Sequence, residues 1–160
     1  MIPSLAIDVD RKLPLLQPLW ECPRCARRFA NRNQFHFCSD VSLQEHFAGR
    51  EPHVVETFMR LLAAARKSGD VHVLPEKTRV AFQVRMSFAA FTLRRRWIDG
   101  HVVLARRLDS PRFRRVDVIS PRNQVHVFRL EDPSQVDAEV EAWLVEAYMV
   151  GEQKHLRRKP

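Results

Sequence analysis

Two stretches of the chain set apolar residues along one side of a 3.6-residue repeat. Val54, Val55, Phe58, Leu61, Leu62 and Ala65 form one stripe, beginning just after Pro52, where a first helical turn tolerates proline, and ending before Gly69. Val136, Val140, Trp143, Leu144, Ala147 and Tyr148 form a second stripe between Ser134, read as an N-cap, and Gly151. Between the two, the period drops to two. Runs rich in β-branched and aromatic residues at 71–74, 78–85, 87–93, 101–107, 114–119 and 125–130 are parted by turn signals at Pro75, Gly100, Pro111 and Pro121. The pattern predicts an α+β fold: an antiparallel sheet of about five or six strands packed with two main helices. A capping box, Ser42-x-x-Glu45, opens a shorter helix that Gly49 ends.

The same reading divides the chain. Residues 1–19, with Pro3, Pro14 and Pro18, form an extended arm whose Leu13, Leu15 and Leu16 pack onto something. Residues 20–49 are a metal-binding segment with its short helix, 50–151 the α+β domain, and 152–160 a basic tail. The 160 residues are 45% hydrophobic, enough for one real core. No apolar run is long enough to span a membrane, and the first twenty residues lack the basic start and small-residue cleavage site of a secretory signal. All three cysteines fall within seventeen residues, which fits a reducing compartment where metal sites take the place of disulfides. The chain therefore reads as cytoplasmic.

Those cysteines carry the sharpest chemical signal. Cys22-Pro23-Arg24-Cys25 puts two thiolates on one tight turn, from which both can reach a Zn²⁺ at about 2.3 Å. His36 and Cys38, two apart, leave the same side of an extended segment and close a tetrahedron. Four N and S ligands leave no position for water, which is the pattern of a structural zinc site. Phe29, Phe35 and Phe37 are the expected apolar support. A rival quartet replaces His36 with His46: the phenylalanine spacing resembles a DNA-reading ββα finger, but the last ligand of such a finger should fall at Ser42, Leu43 or Gln44. A deaminase zinc site is disfavoured because no histidine precedes His36.

Charge adds a partner class. The formal net charge is +8, and residues 51–130 alone carry 16 basic against 7 acidic side chains, a net +9. Such a field favours a polyanion, nucleic acid first, although an arginine-rich solvated surface gives the same count. Along 78–85, Val80, Phe82 and Val84 alternate with Arg79, Ala81, Gln83 and Arg85, so one side of that run is cationic. Lys77, Arg106 and Arg107 join it if neighbouring strands pair in register, and His126 adds a ring for stacking. The competing expectation is that Arg79 and Arg85 pair with Glu76, Glu56 or Asp117, and that His126 is a satisfied sheet histidine. Arg94, Arg95 and Arg96 read as a solvated loop beside Trp97, which can stack on a base or on an arginine.

Catalytic signatures are missing. The four glycines all read as ends of elements, which excludes a phosphate-cradling loop and a dinucleotide fingerprint, and no serine lies in a Gly-x-Ser-x-Gly setting.

The order of Trp20-Glu21-Cys22-Pro23-Arg24-Cys25, Asn33 to Cys38, Leu74 to Phe82, Arg106-Arg107-Leu108, Pro111-Arg112-Phe113 and Trp143 to Tyr148 resembles the bacterial domain-of-unknown-function family 5655. In that family a short Cys/His segment often precedes an α+β domain. The resemblance covers about residues 20–153 and implies an α+β fold with metal ligands at Cys22, Cys25, His36 and Cys38, and no particular activity. Two functional readings follow. One is a non-catalytic, nucleic-acid-associated module using a basic sheet face with a structural zinc. The other is a protein-interaction or small-ligand-binding domain with incidental charge, in which an apolar cleft is rimmed by Arg79, Arg85 and His126.

Overall fold

A computed structural model of the chain describes residues 7–8, 13–14, 18–36, 38 and 41–153. Leu15, Leu16 and Phe37, and the tail from 154 onward, lie outside the described residues. Strands β1 (Ile7–Asp8) and β2 (Leu13–Pro14) pair antiparallel, as do β3 (Trp20–Glu21) and β4 (Arg28–Phe29). Helices α1 (Leu43–Phe47) and α2 (Pro52–Arg66) follow. Next come β5 (His72–Pro75), β6 (Val80–Gln83), β7 (Ser87–Leu93), β8 (Ile98–Leu104), β9 (Phe113–Ser120) and β10 (Asn123–Leu130), and then α3 (Ala138–Gly151).

The six longer strands make one antiparallel sheet in the order β5-β6-β7-β8-β10-β9. The first four form a meander; the chain then crosses to the far edge as β9 and returns as β10 between β9 and β8. Helices α2 and α3 pack together and against β7 and β8 on one face. Register explains which residues face them. Val80, Phe91, Gly100, Phe128 and Phe113 stand opposite one another across five strands, and Phe82, Ala89, Val102 and His126 form the next row on the same face. Burial follows: Phe58, Phe82, Phe88 and Phe91 are 0% exposed, and Phe128 1%. Each such ring contributes about 1.5–3 kcal/mol on leaving water, which makes this layer the centre of the core. Their contacts are mostly edge to face, with Phe58 against Phe82 and Phe91 at 5.7 and 6.5 Å between ring centres, and Phe128 against Trp143 of α3 at 5.1 Å.

Local signals explain the helix ends, with one correction. Ser42 Oγ accepts from the Glu45 amide and Glu45 Oε2 accepts from the Ser42 amide, closing the capping box of α1, and Gly49 takes φ +72°. α2 starts on Pro52 as its stripe requires. Ser134, however, does not cap the last helix. It lies in a 3-10 turn, Pro133–Gln135, capped by Asp132, and Val136 (φ −80°, ψ 72°) breaks the path before α3. The cap of α3 is Asp137, whose Oδ1 accepts from the Val140 amide at 3.1 Å. Two successive acidic caps divide what the apolar stripe alone reads as one helix.

Gly100 is the second correction. It does not mark a turn but sits inside β8, opposite Phe91 and Phe128. A Cβ there would come within 2.7 and 2.9 Å of the Phe91 ring, so the missing side chain is the room that Phe91 occupies. The true turn is Arg94 to Trp97, where the Arg94 amide donates to the Trp97 carbonyl at 2.8 Å.

Candidate metal centre and the cationic side chains

The segment between β3 and β4 is folded by its own backbone. The Ala26 amide donates to the Cys22 carbonyl at 2.8 Å and the Cys22 amide to the Arg27 carbonyl at 2.9 Å, while Ala26 adopts φ +59°. This turn carries Cys22 and Cys25 at its start, and the Arg24 amide points at Cys22 Sγ from 3.4 Å. The chain beyond β4 brings in His36 and Cys38 without regular secondary structure. The four donor atoms all lie within 4.8 Å of one another.

One sulfur pair already has the separation of a tetrahedral site, and the imidazole sits close to two of the sulfurs. Cys22 Sγ and Cys38 Sγ are 3.7 Å apart, and ligands bound at about 2.3 Å with tetrahedral angles would be about 3.8 Å apart. His36 Nε2 lies 3.3 Å from Cys25 Sγ and 3.0 Å from Cys38 Sγ. Its Nδ1 donates to the Gln34 carbonyl at 2.7 Å, which places the proton on Nδ1 and leaves the Nε2 lone pair directed at the sulfurs. The thiols titrate differently. Burial alone would raise Cys22, yet the Cys25 and Arg24 amides and the neighbouring thiols bring it down to about 6. Burial, and then the adjacent Cys22 and Cys25 sulfurs, push Cys38 up to about 11. A dication among the thiols would resolve that crowding, because each sulfur binds as thiolate. All three cysteines are free thiols, and the group is close enough to hold one metal ion.

The apolar support differs from the expected set. Phe29 is 4% exposed and its ring lies 4.2 Å from that of His36, with Trp20 beside both at 6.3 and 6.2 Å. Phe35 instead points outward and is 98% exposed. Trp20 was legible in principle, since it pairs directly with Phe29 across β3 and β4. The rival ligand His46 is elsewhere: it is buried, and its Nε2 bonds the Glu76 carbonyl at 2.7 Å. The segment rests on the edge of the sheet. Arg27 Nη2 donates to the Pro75 carbonyl at 3.3 Å, and Ala26, Arg27 and Arg28 face His72, Leu74 and Gln83 across a cavity of about 220 Å³.

The basic side chains singled out from the sequence do not share one strip. Arg79 precedes Val80, at the end of the sheet marked by Phe91 and Gly100, whereas Arg106 and Arg107 follow Leu104 at the opposite end. Arg85 also lies beyond the far end of β6, with Nε donating to Gln153 Oε1 at 3.0 Å. Acidic partners hold most of them: Arg79 meets Glu76 at 2.7 Å, Arg106 meets Glu146 at 2.8 Å and Arg107 meets Asp109 at 3.4 Å. Lys77 is exposed near Arg79. His126 is 0% exposed on the helix side; its Nε2 accepts from the Leu108 amide at 2.9 Å and its Nδ1 donates to the Gln124 carbonyl at 2.9 Å. It tethers the β8–β9 connection and offers no surface to a ligand, so the cleft imagined between it, Arg79 and Arg85 is not formed.

The face of the sheet turned away from the helices carries a different group. Ala90, His101, Val127 and Arg115 form one row, and Thr92, Asp99 and Arg129 the next. Asp99 accepts from Arg129 at 2.8 Å and from Arg94 at 3.1 Å, and the Arg129 guanidinium lies 4.5 Å from the centre of the Trp97 ring. His101 is lowered to about 4, by burial first and then by Arg79 and Arg115. Placing the strand boundary at Gly100 hid the alternation of β8; with Ile98, Gly100 and Val102 facing inward, Asp99 and His101 must face outward.

No helix among the described residues is long and apolar enough to cross a membrane. Comparisons with curated proteins and with solved structures return no match. The sequence model of the family described as Domain of unknown function (DUF5655) matches residues 43–151, from the first residue of α1 to the last of α3, and the chain belongs to that family, with its Cys/His group placed ahead of the matched part.

Proposed function

We propose that the chain is a non-catalytic module that binds single-stranded nucleic acid on the sheet face turned away from α2 and α3, with Cys22, Cys25, His36 and Cys38 holding one structural Zn²⁺. The observation that carries this reading is the packing of α2 and α3 on one face of the sheet, which leaves Arg115 and Arg129, with Arg79 beside them, on the other face beyond the small buried cluster of Leu74, Ala81 and Ala90. Arginine supplies phosphate contacts, and the Trp97 ring, with Arg129 over it, supplies a flat surface for a base. The existing ion pairs do not oppose this. Arg79–Glu76 and Arg115–Asp117 are half-exposed pairs worth about 0.2–1 kcal/mol each, so a phosphate can compete for the guanidinium. The zinc assignment rests on the donor set: three thiols and one imidazole suit Zn²⁺ better than a hard cation and complete a closed site.

Two measurements test the two halves separately. Elemental analysis should give one zinc per chain, lost in Cys25→Ser and in His36→Ala but kept in His46→Ala. Metal-free native protein, or zinc that survives both ligand substitutions, would overturn the metal assignment. Titration with a short single-stranded oligonucleotide should give affinity that falls with salt with a log–log slope of roughly −3, the value for about four phosphate contacts. Arg115→Ala and Arg129→Ala should each flatten that slope, while Arg60→Gln and Arg66→Gln on α2 should not. Equal effects from both sets would mean diffuse attraction, and absence of binding at low salt would end the nucleic-acid reading.

A further inference from the structure

A second cationic site lies at the border of the sheet face, between α1, the β5–β6 connection and the β7–β8 turn. There Val41, Glu45, His46, Arg50, Lys77, Thr78, Thr92, Leu93, Arg94 and Arg95 line an open cavity of about 630 Å³. The charge of this wall is one-sided. Four of the side chains are permanently basic and one is acidic, and Glu45 already accepts from the Ser42 amide at 2.9 Å. Arg94 is shared with Asp99, but among the described residues no carboxylate comes within ion-pair distance of Arg50, Lys77 or Arg95. That sets them apart from Arg60, Arg79, Arg96, Arg106, Arg112, Arg115 and Arg129, each of which has an acidic partner.

The site is also built. Arg50 is anchored by its own donors, Nε to the Leu93 carbonyl at 2.8 Å and Nη1 to the Ala48 carbonyl at 2.8 Å, which fixes the direction of the guanidinium and, among the described residues, leaves Nη2 without a hydrogen-bond partner. The Glu51 amide donates to the Arg95 carbonyl at 2.9 Å, tying the β7–β8 turn to the start of α2. His46 bonds the Glu76 carbonyl at 2.7 Å and so ties α1 to the β5–β6 connection. Three separate segments are thereby held around one space, with Thr78, Thr92, Val41 and Leu93 also in its wall.

We infer that this cavity binds a phosphate monoester of about the size of a mononucleotide. Like-charged side chains crowded around a concave wall repel one another, and an anion of charge near −2 relieves that repulsion while its oxygens satisfy several donors at once. The volume suits a phosphate with a small organic body rather than inorganic phosphate alone, since ligand pockets of roughly 300–1,000 Å³ take molecules of that class. The ester could be a free small molecule or the phosphorylated 5′ end of a strand. The chemistry at Arg50, Lys77 and Arg95 is the same in both cases. The cavity borders the helix-free face at Thr92 and Arg94, but its anion donors Arg50, Lys77 and Arg95 are not used in the sheet-face reading, and the inference does not depend on it.

The test uses the full chain with its metal, titrated with AMP, with adenosine and with inorganic phosphate by calorimetry or amide chemical shifts. AMP should bind saturably and at least about tenfold more tightly than adenosine, a margin of about 1.4 kcal/mol. Lys77→Ala combined with Arg95→Ala, both exposed side chains, should weaken AMP at least about tenfold with an unchanged melting temperature, and Arg50→Lys should weaken it while keeping the charge. A 5′-phosphorylated oligonucleotide that displaces AMP, where its unphosphorylated twin does not, would identify a strand end as the source. Displacement by neither would identify a small molecule. Adenosine binding as well as AMP, no saturable AMP binding at millimolar concentration, or a double variant that binds as the parent does would each overturn the inference. Salt-sensitive binding of both strands in that last case would leave the sheet-face reading intact.

Discussion

Gly100 shows how much a single position depends on what lies across from it. In sequence it sits between Asp99 and His101 and has the look of a turn; in the fold it is the gap into which Phe91 packs, with Phe128 on the next strand. Gly100→Ala should therefore destabilise the protein by about 1–3 kcal/mol through overpacking, read as a lower denaturant midpoint with an unchanged slope. An unchanged midpoint would mean that the Phe91 ring moves aside freely. The Cys/His donor group behaves in the opposite way. Cys22 and Cys25 share one backbone turn, and His36 and Cys38 are two residues apart, so short spacings set most of their relative positions and the sequence was sufficient to select them. His101 was missed because its place on the far face follows from the register of β8, which the turn assigned at Gly100 concealed.

At the level of elements, periodicity located α2, α3 and the strands, and capping chemistry decided where α3 begins. Ser134 and Asp137 both suit an N-cap; Pro133 starts the first turn, and the Val136 backbone then leaves helical geometry, so Asp137 takes the role. Asp137→Ala should cost about 1 kcal/mol or somewhat more, because the same carboxylate meets Arg112 at 2.9 Å, while Asp137→Asn should recover the capping part. Ser134→Ala should cost less than either. Urea midpoints of the three variants check the order, and a larger loss for Ser134→Ala would return the cap to that residue. The six-strand order was not legible in this way: the alternating runs say that strands exist, but the insertion of β10 between β8 and β9 depends on which edges pair once the chain has collapsed.

For the whole molecule, the question is how far its two parts stand alone. The main core is assembled from residues 43–148 and the buried Val150, and no residue from 18–38 contributes to it, although Cys22 and Phe29 are themselves buried. Chelation should then unfold the Cys/His segment and leave the α+β domain in place, since bound structural zinc, worth on the order of 10 kcal/mol, stabilises what closes around it. Hydrogen exchange should rise over 20–38 and stay low in β7, β8 and α3; loss of protection throughout would show one cooperative unit. Stability against acid has a separate origin. His101 titrates near 4 in the folded chain against an ordinary 6.5, so between those values the unfolded chain binds a proton there that the native state does not. Stability is present above the higher value and falls as pH drops towards the lower one, by about 2–3 kcal/mol from this residue. His101→Gln should flatten the pH dependence of the urea midpoint between pH 6.5 and 4, and an unaltered slope would show that His101 is protonated without penalty.

Composition and spacing alone determined the fold class, the two amphipathic helices, the α1 capping box and the metal-donor group, because each rests on contacts within one helix face, one turn or one short segment. Tertiary structure decided everything that requires two distant segments to meet. It sent Lys77 and Arg79 to one end of the sheet and Arg85, Arg106 and Arg107 to the other, turned His126 into a core tether, and put His101 on the helix-free face. It also gathered Arg50, Lys77 and Arg95 around one cavity from segments far apart in sequence. Charge counts along a chain sum over residues regardless of direction, whereas a binding surface depends on which side chains point the same way, and strand register settles that only when the sheet forms.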